Sequence, residues 1–93
     1  METNTRAHVI IQGRVQGVCF RMETRKAARQ YGAAGWVRNL PDGTVEAVME
    51  GSPEAVEALL AWCHQGPRMA RVDKVDISHG EYTGEFDSFE VTY

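Results

Sequence analysis

The sequence has little of what marks a secreted, membrane-embedded or disulfide-stabilised protein. It contains two cysteines, Cys19 and Cys63, whereas a disulfide framework usually needs four or more. Its uninterrupted apolar runs are short, well below the ~20 residues that a membrane-spanning helix requires. The first residues, Met1 to Thr5, lack the basic and then apolar order of a signal peptide. We therefore expect a cytoplasmic protein with reduced thiols and no membrane attachment.

Positive charge is also scarce over the chain as a whole, whose net charge is −3. Proteins that bind nucleic acid generally are basic, so we expect no nucleic-acid partner. The charge is nevertheless unevenly placed, because residues 1–38 carry seven Arg or Lys against two acidic residues, while residues 39–93 carry three against eleven. The positive field of the amino-terminal half is suited to attract a small anion.

Metal ligands are few and dispersed. Neither cysteine has a second cysteine nearby, and the three histidines, His8, His64 and His79, are far apart in the sequence. Structural zinc sites use closely spaced pairs of such residues. We predict no metal and no cofactor.

The remaining composition is that of one small globular domain of 93 residues, 43% of them hydrophobic. Alternating apolar residues predict strands, and stretches with helical periodicity predict helices. We expect a flexible tail over residues 1–5 and one domain over residues 6–93. The predicted strands are 6–12, 35–40, 44–50, 71–78 and 88–93, and the predicted helices begin at Arg21 and Pro53.

This order, βαββαβ with a short extra strand, predicts an α+β ferredoxin-like fold in which two helices cover one face of a mainly antiparallel sheet. The residues expected to face the core alternate in the strands and recur every three to four positions in the helices. They are Val9, Ile11, Ala27, Ala28, Tyr31, Val45, Ala47, Met49, Val56, Leu59, Leu60, Cys63, Phe89, Val91 and Tyr93. Ile10, Thr44, Glu46 and Glu50 are expected on the opposite face of the sheet.

The segment between the first strand and the first helix has the composition of an anion-binding loop. Gly13 and Gly17 allow sharp backbone turns, and N–H groups that converge before a helix favour an oxyanion. Arg21 opens the helix and can add a bidentate contact to the same anion. By itself this pattern also fits an ordinary glycine-containing connection.

Asn39 is the second polar residue in an unexpected place, at the end of a predicted strand. Asparagine is disfavoured in strands, so its presence there needs a reason. It either caps the following Pro41-Asp42-Gly43 turn through its side chain, or it holds a water or a developing negative charge in a catalytic site. The spacing leaves both interpretations open.

The two segments together resemble a known family. The run from Ile11 to Arg21, IQGRVQGVCFR, is similar to the first signature of the acylphosphatases, and Gly35 to Asn39, GWVRN, followed by Gly43 to Val45, GTV, is similar to their second. The resemblance extends from about Arg6 to Tyr93. It implies a metal-independent enzyme that hydrolyses an acyl phosphate to a carboxylate and inorganic phosphate, with phosphate also acting as an inhibitor, and it implies a monomer.

The resemblance also assigns roles to particular residues. Arg21 corresponds to the arginine that binds the phosphoryl group, and Asn39 to the residue that positions the attacking water. The backbone N–H groups of the loop complete the phosphate site. These belong to Val15, Gln16, Gly17, Val18, Cys19 and Phe20.

Cys19 is expected to be a packing thiol, since no adjacent histidine is present to activate it. Three other functions are compatible with parts of the pattern. They are a binding module without turnover, an RNA-recognition domain of the same fold class, and an accessory domain of a larger carbamoyl-transferring protein. Asn39 together with Arg21 speaks against the first, and the acidic carboxyl half speaks against the second. A chain of only 93 residues speaks against the third.

Overall fold

The computed structural model describes residues 3–93, in which the elements follow the predicted order within two residues of the predicted bounds. The first strand already includes Thr5, a residue that the sequence places in the tail. Met1 and Glu2 lie outside the described residues. The elements are β1 (Thr5–Arg14), α1 (Phe20–Tyr31), β2 (Ala34–Asn39), β3 (Val45–Gly51), α2 (Pro53–Gln65), β4 (Arg71–Gly80) and β5 (Phe89–Val91).

The strands form one sheet in the order β4-β1-β3-β2-β5. All neighbours are antiparallel except β2 and β5, which run parallel. Both helices pack on the same face, since their buried side chains join those of the strands in a single hydrophobic core. The predicted ferredoxin-like α+β fold is thus confirmed. Neither helix of residues 3–93 is long and apolar enough to span a bilayer.

Side chains of the central strands alternate between the two faces of the sheet as predicted. Val9 and Ile11 of β1 are fully buried, whereas Ile10 between them is half-buried on the other face of the sheet. This is the pattern of a sheet with one face packed on helices. The predicted inward residues of β3 are fully buried too, and they are Val45, Ala47 and Met49.

Helix α2 begins with the capping pattern that its sequence predicts. The Ser52 Oγ accepts a hydrogen bond from the Ala55 N–H at 3.1 Å, and Pro53 occupies the first helical turn. Each apolar side chain buried against the sheet contributes about 1.5–3 kcal/mol. The predicted stripe is buried in full, and it consists of Val56, Leu59, Leu60 and Cys63.

Helix α1 differs from the prediction at its last residue. Ala27 and Ala28 face the core, but Tyr31 is 38% exposed. Its ring lies beside Trp62 and Pro67, at the edge of the contact between the two helices. The small alanines allow the helix to approach the sheet closely, which leaves the tyrosine ring at the margin.

Glu50 lies on the face of the sheet opposite the helices, as predicted, yet it is only 2% exposed. The connection between β4 and β5 covers it. Its carboxylate accepts hydrogen bonds from Arg6 at 2.7 Å, from the Thr83 N–H at 2.9 Å and from the Gly84 N–H at 3.1 Å. Burial by itself would raise the pKa of Glu50, but these bonds hold it below its ordinary value. The carboxylate thereby fixes the segment that leads into β5.

Candidate active site

The loop between β1 and α1, residues 15–19, is curled by two residues with positive φ. Gly17 has a φ of 75° and Cys19 a φ of 63°, a region that glycine adopts freely and cysteine rarely does. Just before the loop, β1 passes so close to β4 that a Cβ on Gly13 would lie 2.1 Å from the Arg71 carbonyl oxygen. The path into the loop therefore requires a glycine at this position.

The loop leaves a row of backbone donors free. Within the described part of the chain, no N–H group of residues 15–20 donates to another backbone group. The first helical bond is that of the Glu23 N–H to the Cys19 carbonyl, at 3.0 Å. Free N–H groups that precede and open a helix favour a negatively charged oxygen by hydrogen bonding and through the helix dipole. The loop therefore has free backbone donors of the kind that suit an anion.

The side chain of Gln16 attaches this loop to the turn between β2 and β3. Its amide nitrogen donates to the carbonyl oxygens of Leu40 at 2.8 Å and Thr44 at 2.9 Å. The turn follows Asn39 directly, so Gln16 fixes the distance between the loop and that residue. Sequence reasoning treated Gln16 only as a member of the loop, because nothing local indicates a contact across 24 residues.

A cavity of about 460 Å³ lies between this loop, the start of α1 and the end of β2. It brings together Arg21 and Asn39, the two residues that the sequence singled out. Of the predicted loop residues, Val15, Gly17, Cys19 and Phe20 line the cavity. Gln16 and Val18 are not among its lining residues; Gln16 holds the turn, and Val18 belongs to the core.

Arg21 is half-buried at the mouth of this cavity. Its guanidinium lies over the ring of Tyr93, 5.2 Å from the centroid, a cation–π contact that helps to orient the side chain. Tyr93 was expected to face the core in the last strand, but β5 ends at Val91, and Tyr93 is 91% exposed. Its proximity to Arg21 depends on where β5 docks and has no local sequence signal.

Asn39 ends β2 and is one of the residues that line the cavity. Its Oδ1 atom is buried and has no hydrogen-bond partner among the residues that the structure describes. The turn is capped instead by Asp42, whose carboxylate accepts hydrogen bonds from the N–H and hydroxyl of Thr44 at 3.0 Å and 2.6 Å. A buried acceptor without a partner costs about 1–3 kcal/mol. The arrangement therefore favours an Asn39 that is available to a ligand over one that caps the turn.

The opposite face of the sheet does not have the features of an RNA-binding surface. Domains of that kind stack bases on exposed aromatic rings. Here the guanidinium of Arg38 covers Trp36, 5.2 Å from the ring centroid, and is itself held by Glu46 at 2.7 Å. His8 contacts the same carboxylate, also at 2.7 Å. Side-chain contacts of Arg38 and His8 with Glu46 thus occupy this part of the face.

Comparison with known proteins agrees with this geometry. A family model described as acylphosphatase matches residues 7–91. The chain belongs to the acylphosphatase family. It is 58% identical over 86 residues to an acylphosphatase of Thermococcus kodakarensis, covering 92% of this chain and 93% of that protein. It is 54% identical over 88 residues to one of Syntrophus aciditrophicus, with coverages of 95% and 92%.

Solved acylphosphatase structures share the fold as well. The acylphosphatase of Coxiella burnetii superposes with a TM-score of 0.89 at 36% identity, covering 96% of this chain and 93% of that one. Because the matches extend over nearly the whole length of these relatives, they include both signature segments and the closing strand. The chain is a hydrolase that acts on acyl phosphates.

Cys19 is exposed and lines the cavity, so the expectation of a packing thiol is wrong.

A bulky thiol reagent on Cys19 should block substrate and reduce the activity of this acylphosphatase at least tenfold. Cys19→Ala should remain active and resist the reagent, because alanine fits the same backbone as cysteine. Cys63 should react only on unfolding, since burial raises the pKa of its thiol to about 12. The test is the residual activity after labelling, together with mass spectrometry that determines which cysteine carries the reagent. Complete inactivity of unmodified, folded Cys19→Ala would instead indicate a catalytic thiol.

Proposed function

We propose that the cavity between Arg21 and Asn39 is where the carboxyl–phosphate bond of an acyl phosphate is hydrolysed to a carboxylate and inorganic phosphate. One observation carries this proposal. Arg21 and Asn39 line the same cavity. The guanidinium of Arg21 has no acidic group within 4 Å in residues 3–93, and the Oδ1 of Asn39 has no hydrogen-bond partner among those residues. A positive group and a free acceptor at one cavity suit a phosphoryl group and a water molecule.

The phosphoryl group is held by Arg21 and by backbone N–H groups of residues 15–20. A guanidinium provides paired donors that match two phosphoryl oxygens. The loop N–H groups, free of backbone partners, face the remaining negative charge. Because these donors are already in place, little reorganisation is needed as charge develops in the transition state. The same groups should bind product phosphate, which makes phosphate an inhibitor.

Asn39 positions the attacking water. Its Oδ1 accepts a hydrogen bond from one O–H of the water, which orients a lone pair of the water oxygen toward phosphorus. The P–O bond to the acyl group breaks as the new P–O bond forms, and the acyl group leaves as a carboxylate. A carboxylate is a good leaving group, so no general acid is required, and positioning with charge stabilisation suffices. The water's other proton passes to a phosphoryl oxygen of the substrate itself.

The proposed reaction needs only one chain and no metal or cofactor. The residues that line the cavity lie between Val15 and Tyr93. We propose a cytoplasmic monomer whose catalytic domain is residues 6–93.

Hydrolysis of benzoyl phosphate tests the proposal. We expect turnover that a chelator does not reduce, with inorganic phosphate and sulfate as competitive inhibitors, because each tetrahedral oxyanion occupies the phosphoryl position. The measurement is initial rate against substrate concentration at several phosphate concentrations. Noncompetitive inhibition would place phosphate elsewhere and remove the loop from the active site. Absence of turnover would leave a binding module in place of an enzyme.

A further inference from the structure

A second guanidinium, that of Arg25, lines the same cavity as Arg21. The two residues are four apart on α1, so they lie on one side of the helix about 6 Å apart along its axis. The proposed reaction uses the first of them for the phosphoryl group and has no role for the second. Arg25 is half-buried.

The structure does not provide Arg25 with an internal counter-ion. In the described residues no carboxylate lies within 4 Å of it, and no acidic side chain lines the cavity. The charge of Arg25 acts on Glu90, whose pKa is lowered first by a hydrogen bond from Ser88 and less by the charges of Arg29 and Arg25. Its carboxylate is, however, held by Ser88 and by Arg29 at 3.2 Å. Arg25 therefore keeps a free positive charge toward the cavity.

The wall beside the two arginines is apolar. Met22, on the first turn of α1, and Val91, at the end of β5, both line the cavity. Met22 is 62% exposed, and an exposed methionine at the rim of a site offers an adaptable surface for a carbon chain. A short aliphatic segment that runs from Arg21 toward Arg25 would lie against these side chains.

We infer that Arg25 determines substrate specificity by binding a carboxylate at the far end of the acyl group, so that the preferred substrates are acyl phosphates of short dicarboxylic acids. This inference rests on the proposed function. One guanidinium balances the single charge of a carboxylate and matches its two oxygens. The phosphoryl group then lies at Arg21 and the second carboxylate one helical turn away.

Two substrates of nearly equal size, succinyl phosphate and butyryl phosphate, test this inference, because they differ in a terminal carboxylate or methyl group. We expect kcat/KM of the unmodified protein to favour succinyl phosphate about tenfold, mainly through KM. Such a ratio corresponds to about 1.4 kcal/mol. Arg25→Gln should abolish the preference. Arg25→Lys should retain part of it, because lysine keeps the positive charge but lacks the paired donors of the planar guanidinium. Lys26→Gln, the matched control, removes an equal charge from an exposed position of the same helix outside the cavity and should preserve the ratio.

The outcomes separate this inference from the proposed function. If butyryl phosphate is hydrolysed but succinyl phosphate is not preferred, the inference is overturned and the proposed function stands. The inference is also overturned if Arg25→Gln keeps the ratio, or if Lys26→Gln loses it equally, since the effect would then be one of net charge. If neither substrate is hydrolysed, this inference and the proposed function are both overturned.

Discussion

Replacement of Arg21 by glutamine should nearly abolish turnover, with a loss of about 10³–10⁵ in kcat, the range for an arginine that stabilises a phosphoryl transition state. Glutamine keeps a polar, uncharged end on a shorter side chain and loses the charge and the paired donors. Because the guanidinium contacts phosphoryl oxygens in the bound state too, the affinity for inorganic phosphate should fall about 10- to 100-fold, the scale of a charge-assisted hydrogen bond. Single-turnover hydrolysis and calorimetric titration with phosphate measure the two effects.

Arg29→Gln is the matched control for Arg21→Gln. It makes the same substitution on the same helix, at an exposed residue that pairs with Glu90 and does not line the cavity. Surface ion pairs contribute about 0–1 kcal/mol, so this variant should keep the kcat and the phosphate affinity of the unmodified protein. A folded Arg21→Gln variant with near-normal phosphate affinity would show that the anion lies elsewhere.

Replacement of Asn39 by alanine should lower kcat by about 10²–10³ while leaving phosphate affinity within about twofold. The asparagine contacts the attacking water and not the phosphoryl group, so its loss affects the reaction more than binding. Its stability effect should also be distinctive. Because the substitution removes a buried acceptor that has no protein partner, it breaks no hydrogen bond of the fold, and we expect the melting temperature to be retained.

Asp42→Ala separates the role of Asn39 in the site from any effect on the adjacent turn. It removes the carboxylate that caps Thr44 but leaves Asn39 in place, so it should lower the melting temperature and preserve most of kcat. If Asn39→Ala lost stability but kept kcat, Asn39 would be a turn residue after all. A loss of phosphate affinity as large as that of Arg21→Gln would instead make Asn39 part of the anion site.

Much of the fold could be predicted because its signals are local. The capping Ser52 and Pro53, the stripe on α2 that ends at Cys63 and the alternation about Ile10 depend on neighbouring residues alone. Local patterns could not show how a distant segment changes a residue's surroundings. Glu50 lies on the predicted face of the sheet, but the connection at Thr83 and Gly84 covers it.

The candidate site shows the same division. Arg21 and Asn39 could be selected from residue type, position and the resemblance of their segments to a family, and the structure places both at one cavity. Their catalytic roles remain predictions. The exposure of Cys19, however, follows from the curl of the loop, in which Cys19 has a positive φ. Nothing in the sequence indicates that a cysteine adopts this backbone conformation.

The order of strands and helices and the inward residues of the central strands were determined by the sequence alone, because each arises from the spacing of residues close together in the chain. The loop before α1 was selected as a phosphate site only with the help of its resemblance to a family signature. Only the tertiary structure decided how the site is assembled. Gln16 bonds to a turn 24 residues away, Tyr93 lies against Arg21 from the far end of the chain, and Arg25 lines the cavity with no carboxylate within 4 Å in residues 3–93. Such contacts depend on how the strands pair and on how the chain returns beside β2. Short-range sequence patterns do not encode which residues distant in the chain come into contact.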